Sequence, residues 1–314
     1  MKKIIGIGET ILDIIFGKNQ DGEWQPRKSV AGGSTFNSII TLGRLGMKTT
    51  LVTELGNDRV GLDIMEFMQK NGVDTGHIDI YNPKDGKTPV SLAFLDENNN
   101  AEYTFYHQFP ADRLNVAIPL INEGDIIIFG SYFSVNPALR NRITEILEFA
   151  NTRKAIVYYD PNFRKAHSHE AMKLMPSIIE NLEYANIVRG SDEDFETLYK
   201  LDNPEKVYID KIKFYCPNFI YTRGGKGVEF YCQQGHRHFD VPDIGKPVST
   251  IGAGDTFNAG IIFGLIRHNI TLDNLNTLTL DEWAPIVQYA IEFSSKVCMC
   301  QENYLPEEIA MQYR

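Results

Sequence analysis

Long apolar runs are missing from this 314-residue sequence, and with them any candidate membrane span. The start has the charges of a secretory leader, Met1-Lys2-Lys3. Its apolar run is too short and is broken by Glu9 and Asp13, so a cytoplasmic location is the expectation. Cysteine is scarce. The four present, Cys216, Cys232, Cys298 and Cys300, form no paired CxxC units, which argues against zinc or a disulfide framework and for buried free thiols. An excess of positive charge is also lacking. With 31 basic and 41 acidic side chains the net charge is −10, so neither nucleic acid nor an anionic membrane is the expected partner. There is no long repeat, no low-complexity segment and no Gly-x4-Gly-Lys-(Ser/Thr) loop, so a Walker-type enzyme is not supported. Gly6-Ile7-Gly8 lacks the third glycine of a dinucleotide-binding turn. The pairs His167/His169 and His236/His238 lack helical metal spacing and carry no assigned chemistry.

What remains is an ordinary globular composition, 43% hydrophobic and 23% charged, in a chain long enough for one large α/β domain or two smaller ones. Residues 2–8 read as a buried first strand and 50–55 as another. A helix through Val60, Ile64 and Met68 ends at Asn71-Gly72. Residues 88–95 and 101–106 alternate and are rich in β-branched and aromatic side chains, which predicts a hairpin closed by a loop at 96–100. From 120 onward a βαβα rhythm returns, with strands at 125–130, 155–160, 186–189 and 219–222, then a hairpin of 228–232 with 237–241. Helices are expected at 137–150, 170–182, 281–296 and from Pro306.

The chain is organised around Ser249-Thr250-Ile251-Gly252-Ala253-Gly254-Asp255-Thr256-Phe257-Asn258-Ala259-Gly260, a loop that turns into a helix beginning near Asp255. Gly252 and Gly254 permit backbone angles closed to other residues and let a ligand approach the main chain. The first helical amides have no intrahelical partner and carry the positive end of the dipole, a good seat for phosphate. Asp255 would be repelled by an anion there, so it reads either as a helix cap or as a base that deprotonates an alcohol attacking phosphorus.

Other candidates lie at strand ends. Asp13 follows the first strand, where open α/β sheets place ligands, and can accept bonds from two hydroxyls or simply cap a turn. Gly32 and Gly33 let a substrate lie on the backbone or merely turn the chain, while Asn37 offers a donor and an acceptor. Arg164, in Asp160-Pro161-Asn162-Phe163-Arg164, can meet a sugar hydroxyl, a carboxylate or a phosphate, or form an internal ion pair. Ser191-x-x-Asp194 is a passable capping box, and Asp194 also keeps a carboxylate for positioning magnesium through water. After the 219–222 strand, Arg223-Gly224-Gly225-Lys226-Gly227 is either a β-turn or a loop open to a nucleotide.

The twelve-residue run at 249–260 resembles the C-terminal signature of the ribokinase-like (phosphofructokinase-B type) sugar kinases. Residues 31–37, Ala-Gly-Gly-Ser-Thr-Phe-Asn, resemble their N-terminal signature. The likeness covers nearly the whole chain, and the opening Gly8-Glu9-Thr10-Ile11-Leu12-Asp13 is closest to fructokinases and 2-keto-3-deoxygluconate kinases. It implies a three-layer α/β/α Rossmann-like core with a mostly parallel sheet, built from residues 1–13, 32–87 and 110–314. It also implies a small β lid from 14–31 and 88–109, an edge that often pairs two subunits. The implied activity is magnesium- and ATP-dependent transfer of the γ-phosphoryl group to a hydroxyl of a small sugar: fructose, ribose or a keto-deoxy sugar acid. In that scheme Asp255 is the base and the amides of 251–254, including Gly252, Ala253 and Gly254, form the anion hole. Asp13, Gly32, Gly33, Asn37, Tyr106 and Arg164 hold the sugar. Thr222, Gly225, Gly227 and Ser191 lie against the nucleotide, and Asp194 acts on the metal indirectly. Two positions depart from the pattern. Ser249 stands where the family usually has an aspartate, which in potassium-activated members helps hold the cation, so monovalent activation is not expected. Ser191-x-x-Asp194 replaces Asn-x-x-Glu. A sugar- or nucleoside-binding protein without catalysis is the alternative, against which the retained Asp255 and glycine loop speak.

Overall fold

The computed structural model describes residues 2–95 and 101–314, so the expected 96–100 loop lies outside the described residues. In chain order the strands are β1 (Lys3–Ile7), β2 (Ile11–Lys18), β3 (Trp24–Gly32), β4 (Lys48–Gly56), β5 (Val73–Asp74), β6 (Ile78–Tyr81), β7 (Lys87–Leu95) and β8 (Ala101–Gln108), then β9 (Ile126–Gly130), β10 (Ile156–Asp160), β11 (Ile187–Ser191), β12 (Asn218–Thr222), β13 (Val228–Cys232) and β14 (Gly235–Phe239). The larger sheet runs β14-β13-β12-β11-β10-β9-β1-β4-β5, with β6 also on β4. It is parallel from β11 through β10, β9, β1 and β4, and antiparallel only where β12, β13 and β14 pair. The central strands read as unbroken β-branched runs, Ile4-Ile5 and Ile126-Ile127-Ile128 among them, because both of their faces are buried. Two cores result, one on each face: Phe36, Phe257, Phe263 and Trp283 lie on one, and Phe129, Tyr159, Phe195 and Phe219 on the other. This is the expected three-layer α/β/α core.

Strand order reverses at β1, which sits between β9 and β4. The carboxyl ends of strands at such a reversal open a crevice that helices cannot fill, the usual seat of a ligand in this architecture. Glu9, just after β1, and Ser131, just after β9, meet there through a hydrogen bond from the Ser131 hydroxyl to the carboxylate.

The second sheet has the order β3-β2-β7-β8. Its outer pairs are antiparallel and its central pair, β2 with β7, is parallel. The expected boundary at 13/14 falls inside β2, so Asp13 stands on this sheet rather than on the large one. The consecutive Ile14-Ile15-Phe16 hid the strand, because both faces of β2 are half covered and the alternation of a one-sided strand is lost. Register fixes the faces. Leu12, Ile14 and Phe16 pair with Val90, Leu92 and Phe94 on one side, and Asp13 and Ile15 pair with Ser91 and Ala93 on the other. Phe16 stacks on Phe94 at 4.9 Å between centroids, and Trp24 meets Phe94 edge-on at 5.3 Å.

Polar clamps tie this sheet to the large one. Asp58 accepts from the Thr88 amide at 2.8 Å and the Thr88 hydroxyl at 2.8 Å where β7 begins. Past the end of β8, Arg113 forms a buried ion pair with Glu54 of β4 and lies over the Phe109 ring, 3.6 Å from its centroid.

Candidate active site

The helix of the organising stretch is Ala253–Arg267, so it begins two residues earlier than expected. Its N-cap is Gly252, in the left-handed region at φ 80°, where a side chain would overlap the Asn303 carbonyl. Gly254 has no such angle and so needs no conformational freedom, contrary to the sequence reading. A Cβ there would stand 2.9 Å from Arg189 Nη1, so its glycine makes room for a neighbour. Asp255 does not cap the helix, since no side chain does.

Its carboxylate turns instead toward the Ser34–Arg44 helix. Asn37 Nδ2 donates to Oδ2 at 2.8 Å, and the Ser34 hydroxyl donates to Oδ1 at 3.0 Å. The Ser38 hydroxyl holds the Asp255 carbonyl at 2.8 Å. Ser34, Asn37 and Ser38 share one face of their helix by their spacing. Asp255 is 7% exposed and its pKa is pushed up to about 6, by burial above all. The Asn37 hydrogen bond and the Arg164 charge oppose that rise, and Asp160 adds to it. A carboxyl with a pKa raised in this way is a stronger proton acceptor, when ionised, than a solvent-exposed one. Asn37 Oδ1 is buried without a partner, an acceptor that suits a hydroxyl.

The amide of Ile251 donates to Ser249 Oγ at 3.2 Å and that of Ala253 to the Thr250 carbonyl at 3.3 Å. Of the four amides expected to form an anion seat, 251–254, those of Ile251 and Ala253 thus have partners within the loop.

The glycine pair ahead of Ser34 also has spatial causes. A Cβ on Gly32 would stand 2.7 Å from Asp13 Oδ2, and one on Gly33, at φ 132°, would overlap the Glu9 carbonyl. Asp13 accepts from the Ser91 hydroxyl, and its pKa is raised, first by burial. Glu9 Oε1 accepts from the Ser34 amide at 3.4 Å. Asp13, Glu9, Ser34, Asn37 and Asp255 thus form a contiguous wall at the strand reversal.

Of the other expected contacts, Arg164 is exposed and its charge reaches Asp255. Tyr106 does not join the wall. It pairs with Val90, on the face opposite Asp13, whereas Phe105 pairs with Ser91 and shares the Asp13 face. A one-residue ambiguity in strand register exchanges the two, and the sequence alone does not resolve it.

Ser191 and Thr222 lie side by side in the β11–β12 register. The Thr222 hydroxyl is engaged internally, accepting from Arg189 Nη2 at 2.7 Å. Ser191 caps the Asp192–Tyr199 helix in a complete capping box with Asp194, whose Oδ2 takes both the Ser191 amide and hydroxyl at 2.7 Å. Gly225 sits in an exposed turn with nothing within 4 Å of an added Cβ, and Gly227 is left-handed at φ 102°. Among the described residues no group of three or more His, Cys, Asp or Glu is arranged to hold a metal ion. Magnesium delivered with nucleotide phosphates takes most of its ligands from phosphate and water, which asks no carboxylate cluster of the protein.

Sequence reasoning missed Ser34, Ser91, Arg189 and Asn258. A signal for Ser34 existed in the polar stripe 34, 37, 38, 41 on an otherwise apolar helix. Ser91 had none, because its partner lies across a parallel pairing that the sequence does not announce.

The chain matches the pfkB family carbohydrate kinase profile over residues 1–298. It is 29% identical over 286 residues to a fructokinase of Rhizobium leguminosarum bv. trifolii, covering 90% of this chain and 85% of that one. It is 26% identical over 251 residues to fructokinase-1 of Zea mays, covering 77% and 76%. Among solved structures it resembles the Vibrio cholerae O395 fructokinase bound to fructose, ADP and calcium. That match has a TM-score of 0.82 at 20% identity and covers 100% of this chain and 99% of that one. The Salmonella enterica aminoimidazole riboside kinase, bound to its riboside and an ATP analogue, follows at TM-score 0.77 and 19% identity, covering 99% of each. With the two-layered flanking of a mostly parallel sheet, the small second sheet and the carboxylate at a free helix start already in place, the chain belongs to the pfkB family of carbohydrate kinases and is an ATP-dependent sugar kinase.

Proposed function

We propose that this kinase phosphorylates fructose or a closely related furanose, with Asp255 as the base. One observation carries the reading: a buried carboxylate, its pKa raised to about 6, stands in the first turn of the Ala253–Arg267 helix, whose start no side chain caps. Bound ATP supplies the phosphoryl group. The acceptor hydroxyl gives its proton to Asp255 as its oxygen bonds to the γ-phosphorus and the bond to the β,γ-bridging oxygen breaks to release ADP, and the amides of Gly252, Gly254 and Asp255 face the charge on the transferring group. Asp13 and Asn37 hold the sugar against Gly32 and Gly33, and Arg164 and Phe105 border it. Ser191, Thr222, Gly225 and Gly227 line the nucleotide side, with Asp194 acting on magnesium through water. The small sheet, carrying Asp13, serves as the lid. The lineage of fructokinase relatives favours fructose over ribose or a keto-deoxy sugar acid. The place of action in this reading is the cytoplasm. An ADP-release assay across those three sugars tests it: fructose gives the highest kcat/KM, and a preference for a sugar acid or a nucleoside overturns the substrate assignment.

Asp255 must be ionised to accept a proton. The acid limb of kcat/KM for the free enzyme is therefore expected near pH 6, with activity lost below it.

Potassium is not expected to activate. The Ser249 hydroxyl is used by the Ile251 amide, and the amides of Val248 and Ser249 both bind the Cys298 carbonyl, at 2.8 and 3.3 Å. The loop is thus braced by the protein itself. Initial rates are expected to be flat as potassium replaces a large organic cation, and a strong rise contradicts this.

The apolar face of the small sheet, Leu12, Ile14, Phe16, Val90, Leu92 and Phe94, pairs two copies of the chain in this reading. Phe94→Glu is expected to halve the mass seen in sedimentation, and a monomeric parent protein overturns it.

A further inference from the structure

Behind the 252–255 turn lies a buried cation that the roles above leave unexplained. Arg189, on β11, is 7% exposed. Its Nη1 donates to Asp160 Oδ2 at 3.1 Å and its Nη2 to Thr222 Oγ1 at 2.7 Å. The same Asp160 oxygen accepts from Asn258 Nδ2 at 2.6 Å, and Asn258 Oδ1 accepts from the Tyr158 hydroxyl at 2.9 Å. Asn258 lies one helical turn past Asp255. The network therefore ties β10, β11 and β12 to the start of the Ala253–Arg267 helix. The guanidinium also fills the space a Gly254 side chain would need, with Nη1 and Nη2 2.9 and 3.0 Å from an added Cβ. The Phe257 ring closes the other side, 5.7 Å from Cζ.

Stability alone is a poor reason for such a residue. A buried ion pair is often matched or bettered by apolar side chains of the same volume. The position is the informative part: a fixed positive charge directly under an anion-binding turn, where the field of a buried group is little screened.

We propose that Arg189 is a positioning residue for phosphoryl transfer, a clamped cation beneath the 252–255 turn that seats the turn on the sheet and keeps Asp255 ionised. This rests on the reading of Asp255 as the base. The groups facing Asp255 are Ser34 and Asn37 from the first helix, Asp160 and Arg164 from β10 and its loop, and Arg189 from β11. Those facing Arg189 are Asp160, Tyr158, Asp194, Thr222 and Asp255. Removing the cation leaves Asp160 as an uncompensated neighbour, which disfavours the charged form of Asp255. Removing the Asp160 charge does the reverse.

The test is the pH profile of kcat/KM for fructose in Arg189→Met, Arg189→Lys and Asp160→Asn. Melting temperatures and sugar binding are measured beside it. In Arg189→Met the acid limb is expected to move up by about one pH unit, with kcat at pH 7.5 down about tenfold. In Asp160→Asn the limb moves down. Arg189→Lys keeps the charge but not the fork, so its limb stays in place while kcat falls. An unmoved limb in folded Arg189→Met overturns the proposal. Should that variant not fold, an unmoved or upward limb in Asp160→Asn overturns it. An active Asp255→Asn enzyme sinks the base assignment instead. An inactive Asp255→Asn with stationary limbs elsewhere sinks only the role of Arg189.

Discussion

Asp255→Asn is expected to lose roughly 10²- to 10⁴-fold in kcat, the usual worth of a positioned general base, while sugar and ATP-analogue affinities stay within about threefold. The substitution is nearly isosteric. Asn37, whose Oδ1 has no partner, can turn its amide over and accept from the carboxamide that replaces the carboxylate, so the site keeps its hydrogen bonds. Stability should move the other way. The folded-state pKa of Asp255 lies above the unfolded value, 3.8 against about 6, so the folded protein binds the proton more tightly. The stability this gives is full below 3.8 and is lost as pH rises through about 6. Above neutrality the buried anion costs up to about 3 kcal/mol, which the amide does not. Asp255→Asn should thus melt no lower than the parent at pH 7.5, and the gap should narrow toward pH 5. A variant that is both active and less stable would mean that Asp255 is a structural residue.

Gly252→Ala is expected to be the most damaging small substitution in the turn. Gly252 is left-handed, and a Cβ would overlap the Asn303 carbonyl oxygen and its carbon. The backbone term is about 1–2 kcal/mol and the overpacking term about 1–3 kcal/mol, since the obstacle is main chain that cannot swing aside. Relief comes only by moving the 252–255 turn or the segment at Asn303. A shift near 1 Å at a positioning element costs about 10²-fold in rate. Thermal melting and steady-state kinetics read both effects. Gly225→Ala is the contrast, because nothing stands within 4 Å of its added Cβ and its melting temperature should hardly change. Equal losses in the two variants would contradict the packing explanation.

The sequence carried the Asp255 side of the candidate site more clearly than the rest. Asp255, Asn37 and the glycines fall in two short runs whose spacing survives the fold intact, and the alternation of buried strands and helices from residue 120 onward reads directly as a parallel sheet. Residues 14–31 and 88–109 were expected to form the second sheet, but only its β7 and β8 half was legible strand by strand. Strands β2 and β3 lack clean alternation, and the parallel partner of β2 lies some 78 positions away, as Asp13 and Ser91 do. Tyr106 and Phe105 differ by one residue in a strand, and only register decides which side chain faces the wall. Arg189 was silent because a strand arginine reads as an edge or surface charge until its neighbours are known. Gly254 was misread for the same reason: a glycine required by the bulk of a distant side chain has the same letter as one required by its own φ.

The most direct measurement is a crystal structure with fructose and a non-hydrolysable ATP analogue bound together. One fructose hydroxyl should lie about 2.6–3.2 Å from the Asp255 carboxylate, with the terminal phosphate on the amides of Gly252, Gly254 and Asp255. A sugar bound with no hydroxyl near Asp255, or a phosphate seated away from that turn, would contradict its assignment as the base.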